Sequence, residues 1–91
     1  MSFGGRQIAS GDEFRALGST YNQRAQELQD LTNFLQSQID SAMWDGFAAT
    51  NFKTEWASTH KMNLMRLRDA LDALSTELRQ RAPIADQLNT R

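Results

Sequence analysis

Residues 43–46 read Met43-Trp44-Asp45-Gly46, and they interrupt two long amphipathic helical patterns near the middle of a 91-residue chain. Asp45 and Gly46 favour a tight reversal, because glycine adopts backbone angles that other residues avoid and aspartate accepts hydrogen bonds from nearby amides. We expect Asp45 to cap the helix that follows. A connection of about four residues cannot carry the chain back along a helix, so the sequence predicts an antiparallel two-helix hairpin.

The pattern before the turn predicts one amphipathic helix over about 12–43. Ser10 and Glu13 fit a capping box that starts it, since each side chain can bond the backbone amide of the other. Residues 1–9 include two adjacent glycines and show no periodicity, so we expect a flexible tail. The apolar stripe recurs at three- and four-residue steps, and it comprises Phe14, Leu17, Tyr21, Ala25, Leu28, Leu31, Leu35, Ile39 and Ala42.

A second pattern after the turn at 43–46 predicts a helix over about 46–82. Pro83 disfavours helical geometry at the residue before it, so we expect the helix to end near Ala82 and a short polar tail over 83–91. No segment has the pattern of a β-strand, and the predicted fold class is all-α. The second apolar stripe comprises Ala49, Phe52, Trp56, His60, Leu64, Leu67, Leu71, Leu74 and Leu78.

One hairpin of this size is short of hydrophobic core. Small scaffolds below about 70–80 residues usually need disulfides, a metal or oligomerisation, and this chain contains no cysteine. We therefore predict that two hairpins pair into a four-helix bundle. Its expected shared core comprises Leu28, Leu31, Leu35, Leu64, Leu67, Leu71 and Leu74. Phe47, Met62 and Met65 point away from this stripe; they are either scattered surface residues, which are normal, or a second contact face.

The composition speaks against several classes of function. The net charge of −1 gives no field that would attract nucleic acid. The sequence has no acidic or histidine cluster with metal-ligand spacing and no glycine-rich phosphate loop. We predict that the chain is not an enzyme and uses no cofactor. His60 lies on the predicted stripe, and a neutral imidazole buried there would have to charge in acid, which would weaken the bundle.

The first residues, Met1-Ser2-Phe3-Gly4-Gly5, lack the charged and apolar pattern of a cleaved secretory signal. No apolar run approaches the roughly 20 residues that span a bilayer, and we expect no stable membrane insertion. Any export must therefore use a route that does not read a cleaved N-terminal signal.

The spacing of Trp44-x-Gly46, Phe52 and Trp56 resembles the WXG family over essentially the whole chain. These small helical hairpins are exported by type VII (ESX) secretion systems. The resemblance implies that Trp44, Asp45 and Gly46 form a turn that the secretion machinery recognises, with Phe52 and Trp56 as the associated core aromatics. It also implies dimers, contact with the secretion ATPase, and a protein that is cytoplasmic before export and secreted without cleavage.

The resemblance further implies a second export element, Tyr-x-x-x-Asp/Glu, in the tail of the other subunit. Here the sequence departs from the family, because no tyrosine follows Pro83 and Tyr21 is followed four residues later by Ala25. We therefore expect a partner to supply this element, and we favour a heterodimer with a paralogous hairpin over a homodimer. The expected function is that of a secreted effector or co-secreted partner. The alternative is a cytoplasmic dimerisation or adaptor module with no export role.

Overall fold

The computed structural model describes residues 10–42 and 45–89, which form two helical arms folded back on each other. The first arm is α1, Gly11–Ser41. The second arm joins three elements end to end: α2 (Phe47–Glu55), a π-helical turn (Trp56–His60) and α3 (Lys61–Asn89). This confirms the all-α hairpin, and no strand occurs in the described residues. The tail predicted for residues 1–9 lies outside them.

The start of α1 carries the predicted capping box. The Glu13 amide donates to Ser10 Oγ at 3.1 Å, and the Ser10 amide donates to Glu13 Oε1 at 2.7 Å. Each bond satisfies an amide that has no partner inside the helix. The sequence therefore fixes this end of the arm locally.

The reversal between the arms rests on Gly46. Its φ of +95° lies in a region that side chains with a Cβ rarely adopt, and its carbonyl accepts from the Thr50 amide at 3.0 Å. Gly46 is itself the N-cap of α2, and no side chain caps that helix. The predicted cap by Asp45 is therefore wrong. Met43 and Trp44 lie outside the described residues.

The predicted end of the second helix at Ala82 is also wrong, because α3 continues through Pro83 to Asn89. A proline inside a helix costs about 3 kcal/mol through a lost hydrogen bond and a steric clash. Pro83 faces solvent, whereas Ala82 and Ala85 on either side of it are buried. These contacts with the first arm hold the helix beyond the proline, so the predicted tail is helical as far as Asn89.

The seam between the arms is built from small residues. Gly11, Gly18, Ala25 and Thr32 follow one another at seven-residue steps along α1, and all four are buried. Ser75 and Ala82 are buried on the opposing arm. Ser75 Oγ donates to the Gly18 carbonyl at 2.7 Å in a buried contact, and a Cβ added at Gly18 would lie 3.1 Å from the Ser75 carbonyl oxygen. The two backbones therefore approach closely because no large side chain separates them.

Candidate interaction face and the Trp-x-Gly end

An open apolar face lies beside the seam. Residues three positions after each seam residue of α1 are half-buried, and those six positions after it are exposed. The same order recurs in α3, and because the arms are antiparallel these residues fall on one side of the hairpin. A groove lined by Phe14 from one arm and Leu88 from the other shows this shared side. The apolar face comprises Phe14, Leu17, Tyr21, Leu28, Leu31 and Leu35 of α1 with Leu64, Leu67, Leu71, Leu74, Leu78 and Leu88 of α3.

None of the seven leucines predicted for a dimer core is buried within the single chain. Leu31, Leu67 and Leu74 are 48%, 52% and 42% exposed, and the other four, Leu28, Leu35, Leu64 and Leu71, are half-buried. The hairpin closes over its small residues and leaves its leucines at the surface. Their role in a shared core stays a prediction.

The opposite side of the seam is polar and ties the arms together by hydrogen bonds. Arg15 Nη2 donates to Asp86 Oδ2 at 2.7 Å near the open end, and Arg68 Nη1 donates to Gln29 Oε1 in the middle. The hydrogen bond from the Arg15 guanidinium holds the pKa of Asp86 below its ordinary 3.8. Gln36 makes a third such contact near the turn. The hydrogen bonds on this side therefore align the two arms, and the side exposes little apolar surface.

Trp56 is the core aromatic of the turn end. It is 6% exposed, and its Nε1 donates to Gln36 Oε1 at 2.9 Å. Lys61 Nζ donates to the same oxygen at 3.0 Å. Trp56 is therefore buried within the single chain, and its polar atom has a hydrogen-bond partner across the seam.

Two residues predicted for the second apolar stripe are exposed in the structure. Phe52 is 40% exposed, so its assignment to the core is wrong within the single chain; it lies four residues before Trp56, at the outer edge of the arm. His60 is exposed, so the prediction of a buried imidazole is wrong. The loss of stability in acid that was expected from its burial no longer follows. The cause of this exposure is the π turn, whose extra residue brings Lys61 to the seam in place of His60.

The possible second contact face is not one patch. Phe47 is 85% exposed and Met62 is 45% exposed, whereas Met65 is half-buried. Phe47 and Met62 are fifteen residues apart on the same arm, which corresponds to about 22 Å along a helix. Met62 and Met65 lie three residues apart on α3, so these two are neighbours on the helix, and a contact through them stays a prediction.

A sequence profile of WXG100, described as proteins of 100 residues with WXG, matches residues 8–83. This span covers most of the chain and includes the first arm, the turn and the second arm as far as Pro83. The chain belongs to the WXG100 family. The resemblance inferred from Trp44, Gly46, Phe52 and Trp56 is thereby confirmed. A search of curated proteins and a search of solved structures each gave no match.

Membership in the WXG100 family makes this a small protein associated with type VII secretion. WXG100 proteins are small secreted helical proteins that are not known as enzymes, and they typically pair as dimers. Among the described residues, no helix has both the length and the hydropathy to cross a bilayer. Residues 10–42 and 45–89 also hold no cluster of His, Asp or Glu suited to a metal ion.

Sequence reasoning missed the residues that join the arms. These residues are polar, and a helical pattern assigns polar residues to the side that faces solvent. They are Gln36, Ser75, Arg15 and Asp86. The π turn left a signal that was readable: the step from Trp56 to Leu64 is eight residues, whereas the steps before and after it are seven. An extra residue in an otherwise regular repeat indicates a local change in helical winding.

Proposed function

We propose that this WXG100 protein is exported by a type VII secretion system as a dimer and acts through protein–protein contacts, as a secreted effector or as a co-secreted partner. The observation that carries the proposal is the open apolar face. Large contiguous apolar surfaces on small soluble proteins mark sites of association. Leu31, Leu67 and Leu74, each at least 42% exposed, supply such a surface on both arms.

The partner is a second hairpin packed on this face, which completes a four-helix bundle. A hairpin face is long and nearly straight, and a second amphipathic pair of helices matches both its length and its two rows of leucines. We favour a paralogous hairpin over a second copy, and we expect it to carry the second export element, Tyr-x-x-x-Asp/Glu. In this arrangement the partner supplies that element.

The turn is proposed as this chain's part of the export signal, read by the secretion ATPase. Asp45 and Gly46 are exposed, so these two residues are accessible from solvent. Gly46 gives the turn a backbone geometry that favours glycine over all other residues. Trp44, two residues before this glycine in the sequence, is the expected recognition side chain.

The test measures export in the native host. The tagged chain is followed in culture supernatant and in cells, and Trp44→Ala is compared with Phe47→Ala, a matched aromatic truncation three residues away. We expect the unaltered chain and Phe47→Ala in the supernatant without N-terminal processing. Trp44→Ala is expected to stay in the cells while its helical circular dichroism is unchanged.

The competing function is a cytoplasmic dimerisation or adaptor module, which the same open face would serve. It predicts that the unaltered chain remains in cells that are exporting other type VII substrates. That result would overturn the export proposal. Co-purification from the native host then identifies the hairpin that covers the apolar face in either case.

A further inference from the structure

The second arm contains one residue more than a regular helix would need. One row of residues beside the seam follows seven-residue steps along the second arm except between Trp56 and Leu64, where the step is eight. The π turn, Trp56–His60, lies in that step. All members of this row are buried or half-buried, and they are Ala49, Trp56, Leu64, Leu71, Leu78 and Ala85.

Helical geometry shows what the extra residue does. Eight residues of regular α-helix at about 100° each would leave Trp56 some 80° out of line with Leu64. A π turn takes up one residue, which leaves an effective seven and an offset of only about 20°. The π turn therefore keeps Trp56 in line with the leucines of α3.

Gln36 is the residue of α1 that meets this turn. Its Oε1 accepts from Trp56 Nε1 at 2.9 Å and from Lys61 Nζ at 3.0 Å. The two donors stand at the first residue of the π turn and at the first residue after it. One amide oxygen thus spans the turn from end to end, and the alternative regular winding would carry one donor away from it.

We infer that Gln36 is a positioning residue that holds the π turn, and that the π turn sets the rotation of α2 and its N-cap Gly46 about the axis of the second arm. Without the π turn, α2 would rotate by about 100° relative to α3. Phe52 would then leave the side of the hairpin that carries Leu67 and Leu74. The link to export rests on the proposed function, whereas the positioning role of Gln36 does not.

The first test removes the extra residue. Deleting Thr59, an exposed residue of the π turn, gives a regular helix in which Trp56 and Leu64 remain in line. Deleting Thr76, an exposed residue of α3, shifts Leu78 and Ala85 out of line. We expect the Thr59 deletion to keep the helix content and cooperative melting of the parent chain and the Thr76 deletion to lose them. Equal losses in both variants would overturn the inference.

The second test measures the rotation directly in the full chain, purified with any partner it carries. Since the sequence has no cysteine, spin labels can be placed at Ser37→Cys and Thr50→Cys, with unlabelled chain added so that only intrachain distances are read. A rotation of about 100° moves a label at the helix surface by about 8 Å. We expect Gln36→Leu to shift or broaden this distance.

Two variants separate positioning from general stability. Gln36→Glu keeps an acceptor for both donors and should restore the parent distance. Gln29→Leu removes the contact with Arg68, which lies outside the π turn, and should leave the distance unchanged. An unchanged distance in Gln36→Leu, or an equal shift in Gln29→Leu, would overturn the role of Gln36.

Export of the same variants is scored separately. We expect Gln36→Leu to lower the amount of protein in the supernatant and Gln36→Glu to restore it. A shifted distance together with normal export would contradict the proposed role of the turn as an export signal while leaving the positioning role of Gln36 intact. The two claims can therefore fail independently.

Discussion

The seam between the arms and the apolar face beside it are made of opposite kinds of residue. The seam consists of glycine, alanine, serine and threonine, with Gly18 against Ser75 at its centre. The apolar face consists mainly of leucines, and three of them are between 42% and 52% exposed. Apart from Trp56 at the turn end, the residues with the most hydrophobic surface to bury are not the ones that close the hairpin.

The two kinds of residue have different roles: the small residues align the arms, and the leucines are available to a partner. Close backbone approach and hydrogen bonds align the arms, and they leave the larger hydrophobic gain unrealised in the single chain. Burying a leucine is worth about 1.5–3 kcal/mol, so a hairpin with this many uncovered leucines gains far more from a partner than from its own seam. The comparison can be tested on each side in turn.

The largest effect is expected on the apolar face. Replacing Leu31, Leu67 and Leu74 together with Gln should weaken assembly by at least about a hundredfold, because each change removes apolar burial at the centre of the contact. Sedimentation across a range of concentrations measures this. Ala73→Gln, an exposed change on α3 off this face, serves as the control. An equal loss of assembly in the control would contradict the division into two regions.

The seam should respond to added bulk instead of lost bulk. Gly18→Val places a branched side chain where a Cβ alone would lie 3.0 Å from Arg79 Cγ and 3.1 Å from the Ser75 carbonyl oxygen. We expect a loss of about 1–3 kcal/mol in the free energy of unfolding, measured by urea denaturation. Ser19→Val, an exposed neighbour, should cost no more than about 0.5 kcal/mol. Equal losses of stability in the two variants would show that the close backbone approach at Gly18 does not contribute to stability.

The polar side of the seam should show a dependence on acid. The pKa of Asp86 is held below its ordinary 3.8 by Arg15, so the carboxylate stabilises the folded chain above that value and the contribution is lost as the pH falls through the lowered pKa. Asp86→Asn should remove this contribution at neutral pH and flatten the stability profile below about pH 4. Asp72→Asn, an exposed change on the same helix, should leave the dependence of stability on pH unaltered. If Asp72→Asn flattened the profile equally, the acid dependence could not be attributed to the Arg15–Asp86 pair.

The smallest effect is expected at His60, which lies on neither region. Its side chain is exposed at the last residue of the π turn, and surface changes of this kind stay within about 0.5 kcal/mol. His60→Gln should therefore leave the thermal midpoint of unfolding nearly unchanged. A large loss of stability would mean that His60 contributes to packing after all.

Much of the fold was predictable from local chemistry. Ser10 and Glu13 marked the start of α1, and Gly46 marked the reversal, because capping and a positive φ depend on a few neighbouring residues. The continuation of α3 past Pro83 was not predictable, because it depends on Ala82, Ala85 and Asp86 meeting an arm about seventy residues away in sequence. A helical wheel also assumes a constant winding, so it misplaced His60.

The candidate site was predictable in part for the same reason. Periodicity identified the leucines of the apolar face, but it could not show that Gly18 and Ala25, instead of Leu28 and Leu71, would close the hairpin. Small residues carry no strong signal of burial, and their role appears only when two backbones come together. The Trp-x-Gly spacing was readable because the family preserves it as a sequence motif.

The central claim is that the apolar face is completed by a second hairpin. The most direct measurement is the mass of the purified chain by light scattering at micromolar concentration, taken together with its thermal unfolding, first alone and then with the hairpin that co-purifies from the native host. We predict a mass of two chains with a sharp transition whenever the face is covered, and a broad transition when the chain is alone and uncovered. A mass of one chain with a sharp transition would contradict the account.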